Sequence, residues 1–164
     1  MGYLQLESFA PPVLSEGKVA SAMDKLADGR TRLNAAWSRD TGSASERWTE
    51  DRLQGKRYGG KKPVFILVDR ETKSAAEDFA YTMQALKRAT IAGSRTWGGA
   101  HPACPYRLGD HFVASVPDAR LISPITHSNW AGTGVIPDVE AAPADALKAA
   151  QALLLRRARV AALP

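Results

Sequence analysis

Cysteine is nearly absent from this chain. Cys104 stands alone among 164 residues, so no internal disulfide can form and no zinc cluster can be assembled from thiolates. Long apolar runs are missing too. No stretch approaches the roughly 20 residues of a membrane-spanning helix. The opening "MGYLQLESFAPP" has neither a basic n-region nor an apolar h-region, so no signal peptide is read; the location is left open, cytoplasmic for the sequence as written. A strong charge imbalance is lacking as well. The net charge is +5, but its basic residues are spread along the chain, so no nucleic-acid partner is expected. The densest cluster, "GKRYGGKK" at 55–62, reads as a solvated loop before a strand. A polyanion site there would show affinity falling steeply with salt. No metal or cofactor is expected.

What is present suits one globular domain over residues 1–164. Hydrophobic residues make up 45% and charged residues 24%, enough to bury a core and too balanced for a disordered chain. "GYLQLESF" (2–9) alternates like a half-buried strand, and Pro11 and Pro12 end it. Val19, Met23 and Leu26 then share one helical face, with Gly29 as the stop. Residues 30–62 show the least pattern, with Trp37 and Trp48 as large anchors. So long a stretch without periodicity is unusual inside a compact domain.

The second half is clearer. "KPVFILVD" (62–69) is the continuous apolar run of a strand buried on both faces. Ala76, Phe79, Ala80, Met83 and Leu86 follow at helical spacing, and "ATIAGS" makes another short strand. The order strand–helix–strand predicts a βαβ unit with a right-handed crossover. "HFVASVPDARLIS" reads as two strands joined by a turn at 117–119. A long amphipathic helix opening near Pro143 closes the chain, with Arg156, Arg157 and Arg159 near its negative end. The class is α/β.

Ser74 lies just beyond the buried strand, at the first turn of the helix. Followed three positions later by Glu77, it carries the signature of a capping box. The same place suits a nucleophile. Free N–H groups and the positive dipole end would stabilise a negatively charged oxygen, with Ala75 and Ala76 as the natural backbone donors. Cap and nucleophile both fit this local pattern. Cys104 lies near His101 in "HPACPY", but its flanking prolines suggest a rigid loop.

"TKSAAEDFAYTMQALKRATIAGSRTWGGAHP", followed by "SPITHSNWAGTGVIPDV", resembles the tail-specific (C-terminal-processing) serine peptidase family. The chain is most similar to the branch that includes interphotoreceptor retinoid-binding protein. The resemblance runs from about Trp37 to the final helix. It implies a Clp protease/crotonase-like α/β core, a mixed β-sheet flanked by helices. It also implies a serine-type peptidase acting through an acyl-enzyme on Ser74, with the Ala75 N–H in the oxyanion hole and a peptide or protein as substrate. Glu77 matches a position where carboxylates assist in some relatives. A homo-oligomer is compatible with the resemblance.

Three departures bear on activity. Gly98 and Gly99 stand where relatives with a serine–lysine dyad carry the lysine. Ala131 stands where the lysine-free branch reads glutamate in "WEGxGVxPD". An Asp-Leu-Arg-x-Asn-x-Gly-Gly type strand motif, expected after "MDKLADG", does not occur, and the helical N-terminal region of longer members is absent. His101, His127 and, less directly, His111 are the remaining candidate bases. The alternative reading is a non-catalytic descendant that binds a peptide or an apolar ligand in the same cleft.

Overall fold

The computed structural model describes residues 26, 29–50, 58–59 and 61–161. The strand expected at 2–9 and most of the helix ending at Gly29 lie outside these residues. Among the described residues three small sheets are present. β1 (Arg32–Ser38), β2 (Ala44–Trp48) and β7 (Ala119–Ile122) form an antiparallel sheet in the order β2-β1-β7. β3 (Phe65–Val68), β4 (Thr90–Gly93) and β8 (Val139–Glu140) form a parallel sheet in that order. β5 (Ala103–Leu108) and β6 (Phe112–Pro117) pair with each other as an antiparallel hairpin.

The βαβ unit is present as expected. β3 leads into α1 (Ala75–Ala85), which returns the chain to β4 in parallel register, with Ile66 opposite Ile91 and Val68 opposite Gly93. α1 ends in a Schellman-type turn. Lys87 takes φ 53°, its N–H reaches the Gln84 carbonyl, and the Arg88 N–H reaches the Met83 carbonyl at 2.8 Å. The chain closes with a short 3₁₀ turn at Pro143–Asp145 and α2 (Ala146–Ala161). Among the described residues no helix is long and apolar enough to cross a membrane.

Two expectations are corrected. Residues 30–62 are not patternless, because β1 and β2 occupy part of them. Their signal is masked for a physical reason. Asn34 is a polar residue at a buried position of β1, and every residue of β2 is exposed, so neither strand shows clean apolar alternation. Cys104 likewise lies in strand β5 rather than in a rigid loop. Pro105 is tolerated because a two-stranded ribbon leaves one side of each strand without a ladder to donate to.

The core joins the two three-stranded sheets. Val68, Ala80, Ile91, Ala100, Leu121, Trp130 and Val135 form one buried cluster, and Leu33 and Met83 nucleate a second. Burying a side chain of the size of Met83 contributes about 1.5–3 kcal/mol. Tyr81 packs its ring 5.3 Å from that of Trp130. Gly93 shows why the end of β4 needs glycine. Its φ is +133°, and an added Cβ would sit 1.9 Å from the Val68 carbonyl oxygen.

Candidate active site

A tight turn carries the chain from β3 to Ser74. The Asp69 carboxylate accepts the N–H groups of Glu71 and Thr72 at 2.9 and 3.2 Å, and the Asp69 N–H donates to the Thr72 hydroxyl at 3.1 Å. Such side-chain-to-backbone bonds close Asx-type turns. Ser74 then sits exposed at the head of α1 with φ 51° and ψ −116°. An ordinary N-cap has β-region angles. The backbone of Ser74 falls in neither the β nor the left-handed helical well. A non-glycine residue held there costs on the order of 1–3 kcal/mol, and such residues cluster at functional sites.

Glu77 fixes this geometry. It is fully buried, and its carboxylate collects four donors. Oε2 accepts the Ser74 N–H and the Gly99 N–H, each at 2.9 Å. Oε1 accepts the Thr96 hydroxyl at 2.5 Å and the Gly98 N–H at 2.6 Å. A carboxylate offers about four lone-pair sites, so its acceptor capacity is filled. None of these four donors is the Ser74 hydroxyl.

The loop 96–99 is tied to two further segments. The Trp97 N–H donates to the Thr72 carbonyl at 3.2 Å. The Thr96 hydroxyl accepts the Val135 N–H at 2.7 Å, the Gly132 N–H reaches the Gly98 carbonyl at 2.9 Å, and the Trp130 indole donates to the Gly99 carbonyl at 3.1 Å. The three sequence motifs "TKSAAE", "TWGGA" and "WAGTGVIPD" therefore meet at one place. The last residue of the third has a structural task. Asp138 accepts the Ile91 N–H at 2.7 Å and the Gln84 side chain at 2.9 Å, which holds β8 beside β4.

The other candidates are placed as follows. The Ala75 N–H has no hydrogen-bond partner among the described residues, whereas the Ala76 N–H donates to the Lys73 carbonyl at 3.1 Å. Among the described residues, Ala75 thus keeps a free donor at the helix head. Ala131 is half-buried against the core beside Trp130, and its N–H donates to the Asn129 side chain at 2.9 Å. His101, His111 and His127 are exposed, and their rings make no hydrogen bond among the described residues. Lys73 is paired with Glu71 at 2.9 Å on the surface, and that contact lowers the Glu71 carboxyl below its ordinary range.

A second carboxylate lies beside Glu77. Asp78 is 9% exposed and accepts the Asn34 amide at 2.8 Å and the Thr82 hydroxyl at 3.2 Å, with the Arg47 guanidinium 3.6 Å away. Burial pushes its carboxyl up, while Arg47 and the two hydrogen bonds oppose the shift. These contacts join β1 and β2 to α1. Sequence reading missed Asp78, Asn34 and Thr96. The adjacent acids at 77 and 78 were the only local signal.

Comparisons with known proteins bear on the family and the fold of the chain. The family model described as peptidase family S41 matches residues 29–141, more than half of the chain. Among solved structures, a photosystem II D1 C-terminal processing protease is similar at 26% identity and a TM-score of 0.59, covering 76% of this chain and 31% of its own. A lipoprotein from Streptococcus agalactiae shares the fold at 16% identity and TM-score 0.61, covering 84% and 48%. Mature CPAF does so at 11% identity and TM-score 0.62, covering 84% and 39%. The chain spans less than half the length of each of these structures.

Proposed function

The chain belongs to peptidase family S41, and from that membership we propose that it carries the nucleophile half of a serine peptidase site. Ser74 Oγ attacks the carbonyl carbon of a peptide bond and passes its proton to a base. The tetrahedral oxyanion is met by the Ala75 N–H and the positive end of α1. Collapse expels the amine, which takes that proton from the base, leaving an acyl-enzyme that water hydrolyses. The observation that supports this most is the Ser74 backbone, strained at φ 51° and ψ −116° on an exposed turn. Capping alone does not call for that strain.

Glu77 acts in this reading as a positioning residue. Its oxygens are occupied by Ser74 N–H, Thr96, Gly98 and Gly99, so it orients the nucleophile without taking its proton. The base then has to approach the exposed face of Ser74 from a histidine or from another chain. Placement in the retinoid-binding-protein-like branch rests on the "WAGTGVIPD" resemblance. The test is labelling by a fluorophosphonate probe. Folded protein is expected to be modified at Ser74, with modification lost in Ser74→Ala. Absence of labelling in folded wild type sinks the proposal.

Specific observations favour a second reading, in which the surface around Ser74 binds a peptide without cleaving it. Gly99 and Ala131 supply no base, and the Glu77 carboxylate bonded to the Ser74 N–H is saturated. General-base assistance is worth about 10²–10⁴-fold in rate, and without it a serine hydroxyl is a poor nucleophile. Peptide turnover that disappears in Ser74→Ala would overturn this second reading.

A further inference from the structure

Resting on the reading of the Ser74 turn as a peptide site, we infer that Trp97 is its specificity-determining side chain. It is a platform for one apolar side chain of an extended peptide. The first observation is exposure without a partner. Trp97 is 64% exposed, and its indole N–H has no hydrogen bond among the described residues. The other three tryptophans are engaged. Trp130 is buried and bonded to the Gly99 carbonyl, Trp48 donates to Glu46 at 3.0 Å and lies under Arg30, and Trp37 lies under Arg120. An unpartnered exposed indole is the side chain best suited to anchor a ligand, because it supplies large apolar area and a polar edge.

The second observation is rigidity next to the nucleophile. Thr96, Gly98 and Gly99, on either side of Trp97, all donate to the Glu77 carboxylate that also holds the Ser74 N–H. The Trp97 N–H itself donates to the Thr72 carbonyl, two residues before Ser74. The ring is thus carried on a backbone fixed to the turn that presents the nucleophile, the condition for a precise recognition site.

The third observation concerns Gly99. A Cβ at this position would lie 2.4 and 2.6 Å from two carbons of the Trp97 ring, and 3.7 Å from Glu77 Oε2. The six-membered ring of the indole occupies the space that a side chain at 99 would take. Its face serves an aliphatic or aromatic side chain near the reacting carbonyl, and its free N–H can donate to a peptide carbonyl.

The test uses Ser74→Ala protein, so that binding is read without turnover. Dissociation constants are measured by fluorescence anisotropy for labelled peptides differing at one residue: Phe, Leu, Ala or Asp. The Phe and Leu peptides are expected to bind about 5–10-fold more tightly than the Ala peptide. That preference should vanish in Trp97→Ala and be largely kept in Trp97→Phe. An unchanged preference in Trp97→Ala, or no preference in the parent protein, overturns the inference. Failure of the nucleophile reading shows separately, as absent Ser74 labelling in the wild type.

Discussion

The Thr96 hydroxyl donates to the Glu77 carboxylate at 2.5 Å while it accepts the Val135 N–H at 2.7 Å. Through this one hydroxyl the helix that begins at Ser74 is bonded to the segment that follows Trp130. The head of α1 is therefore shaped by Thr96, 19 positions from Glu77, and through it by Val135, 39 positions from Thr96.

Removing the carboxylate should expose its structural weight. Glu77→Ala leaves four donors without their acceptor, of which the Thr96 hydroxyl is buried and the three backbone N–H groups partly so; a buried unsatisfied group costs about 1–3 kcal/mol, and water satisfies part of the rest. Partial relaxation makes a net loss of about 3 kcal/mol or more the expected result. Glu77→Gln keeps the shape but offers one carbonyl oxygen, so its loss should fall between. Urea unfolding measures both. A Glu77→Ala midpoint equal to wild type would show that the clamp carries no stability.

Asp78 predicts a pH dependence. Its folded carboxyl is raised above the ordinary aspartate value of 3.8, burial being the largest cause. The folded state therefore binds more protons than the unfolded one across the window from about 3.8 up to the raised folded value. Stability through this group must fall as pH rises through that window. Asp78→Asn should flatten that slope. Unfolding curves from pH 4 to 8 check it. A variant whose pH slope matches wild type would refute the assignment.

Restoring a base is a test of the empty position. The φ of Gly99 lies outside the left-handed range, so its backbone admits a side chain, but the Trp97 ring occupies the space. Gly99→Lys alone should alter Ser74 labelling little. Combined with Trp97→Ala it should raise the labelling rate by a small fluorophosphonate by about 10²-fold, within the range of general-base help. Equal rates in the single and double variants would count against the geometry.

Gly93→Ala tests the close approach of β4 to β3. The added methyl would meet the Val68 carbonyl at 1.9 Å on a backbone with φ +133°. The expected loss is about 3 kcal/mol or more, from clash and strain together. Soluble yield and the urea midpoint report it, and a change under 1 kcal/mol would contradict the register of Val68 with Gly93.

Legibility in the sequence followed the range of the interaction. The run Phe65–Val68 and the helical spacing of Ala76, Ala80 and Met83 were readable because burial leaves a periodic mark on neighbouring residues. β1 was not readable, since buried Asn34 is matched to Asp78, 44 positions away. β5 hid behind Pro105, which a two-stranded hairpin tolerates. At the candidate site, Ser74 and Glu77 carry a local signature. The donors from Thr96, Gly98 and Gly99 carry none, because two of them are backbone groups that every residue possesses.

The sequence by itself determined the α/β class, the serine at a strand-to-helix turn, and the lack of a lysine at 99 and a carboxylate at 131. These are identities and short-range patterns, which neighbouring residues fix. Only the tertiary structure decided how Ser74 is held and what Glu77 is free to do. A capping carboxylate and a catalytic one look alike in sequence. They differ in how many donors long-range packing brings to two oxygen atoms, and here packing brings four.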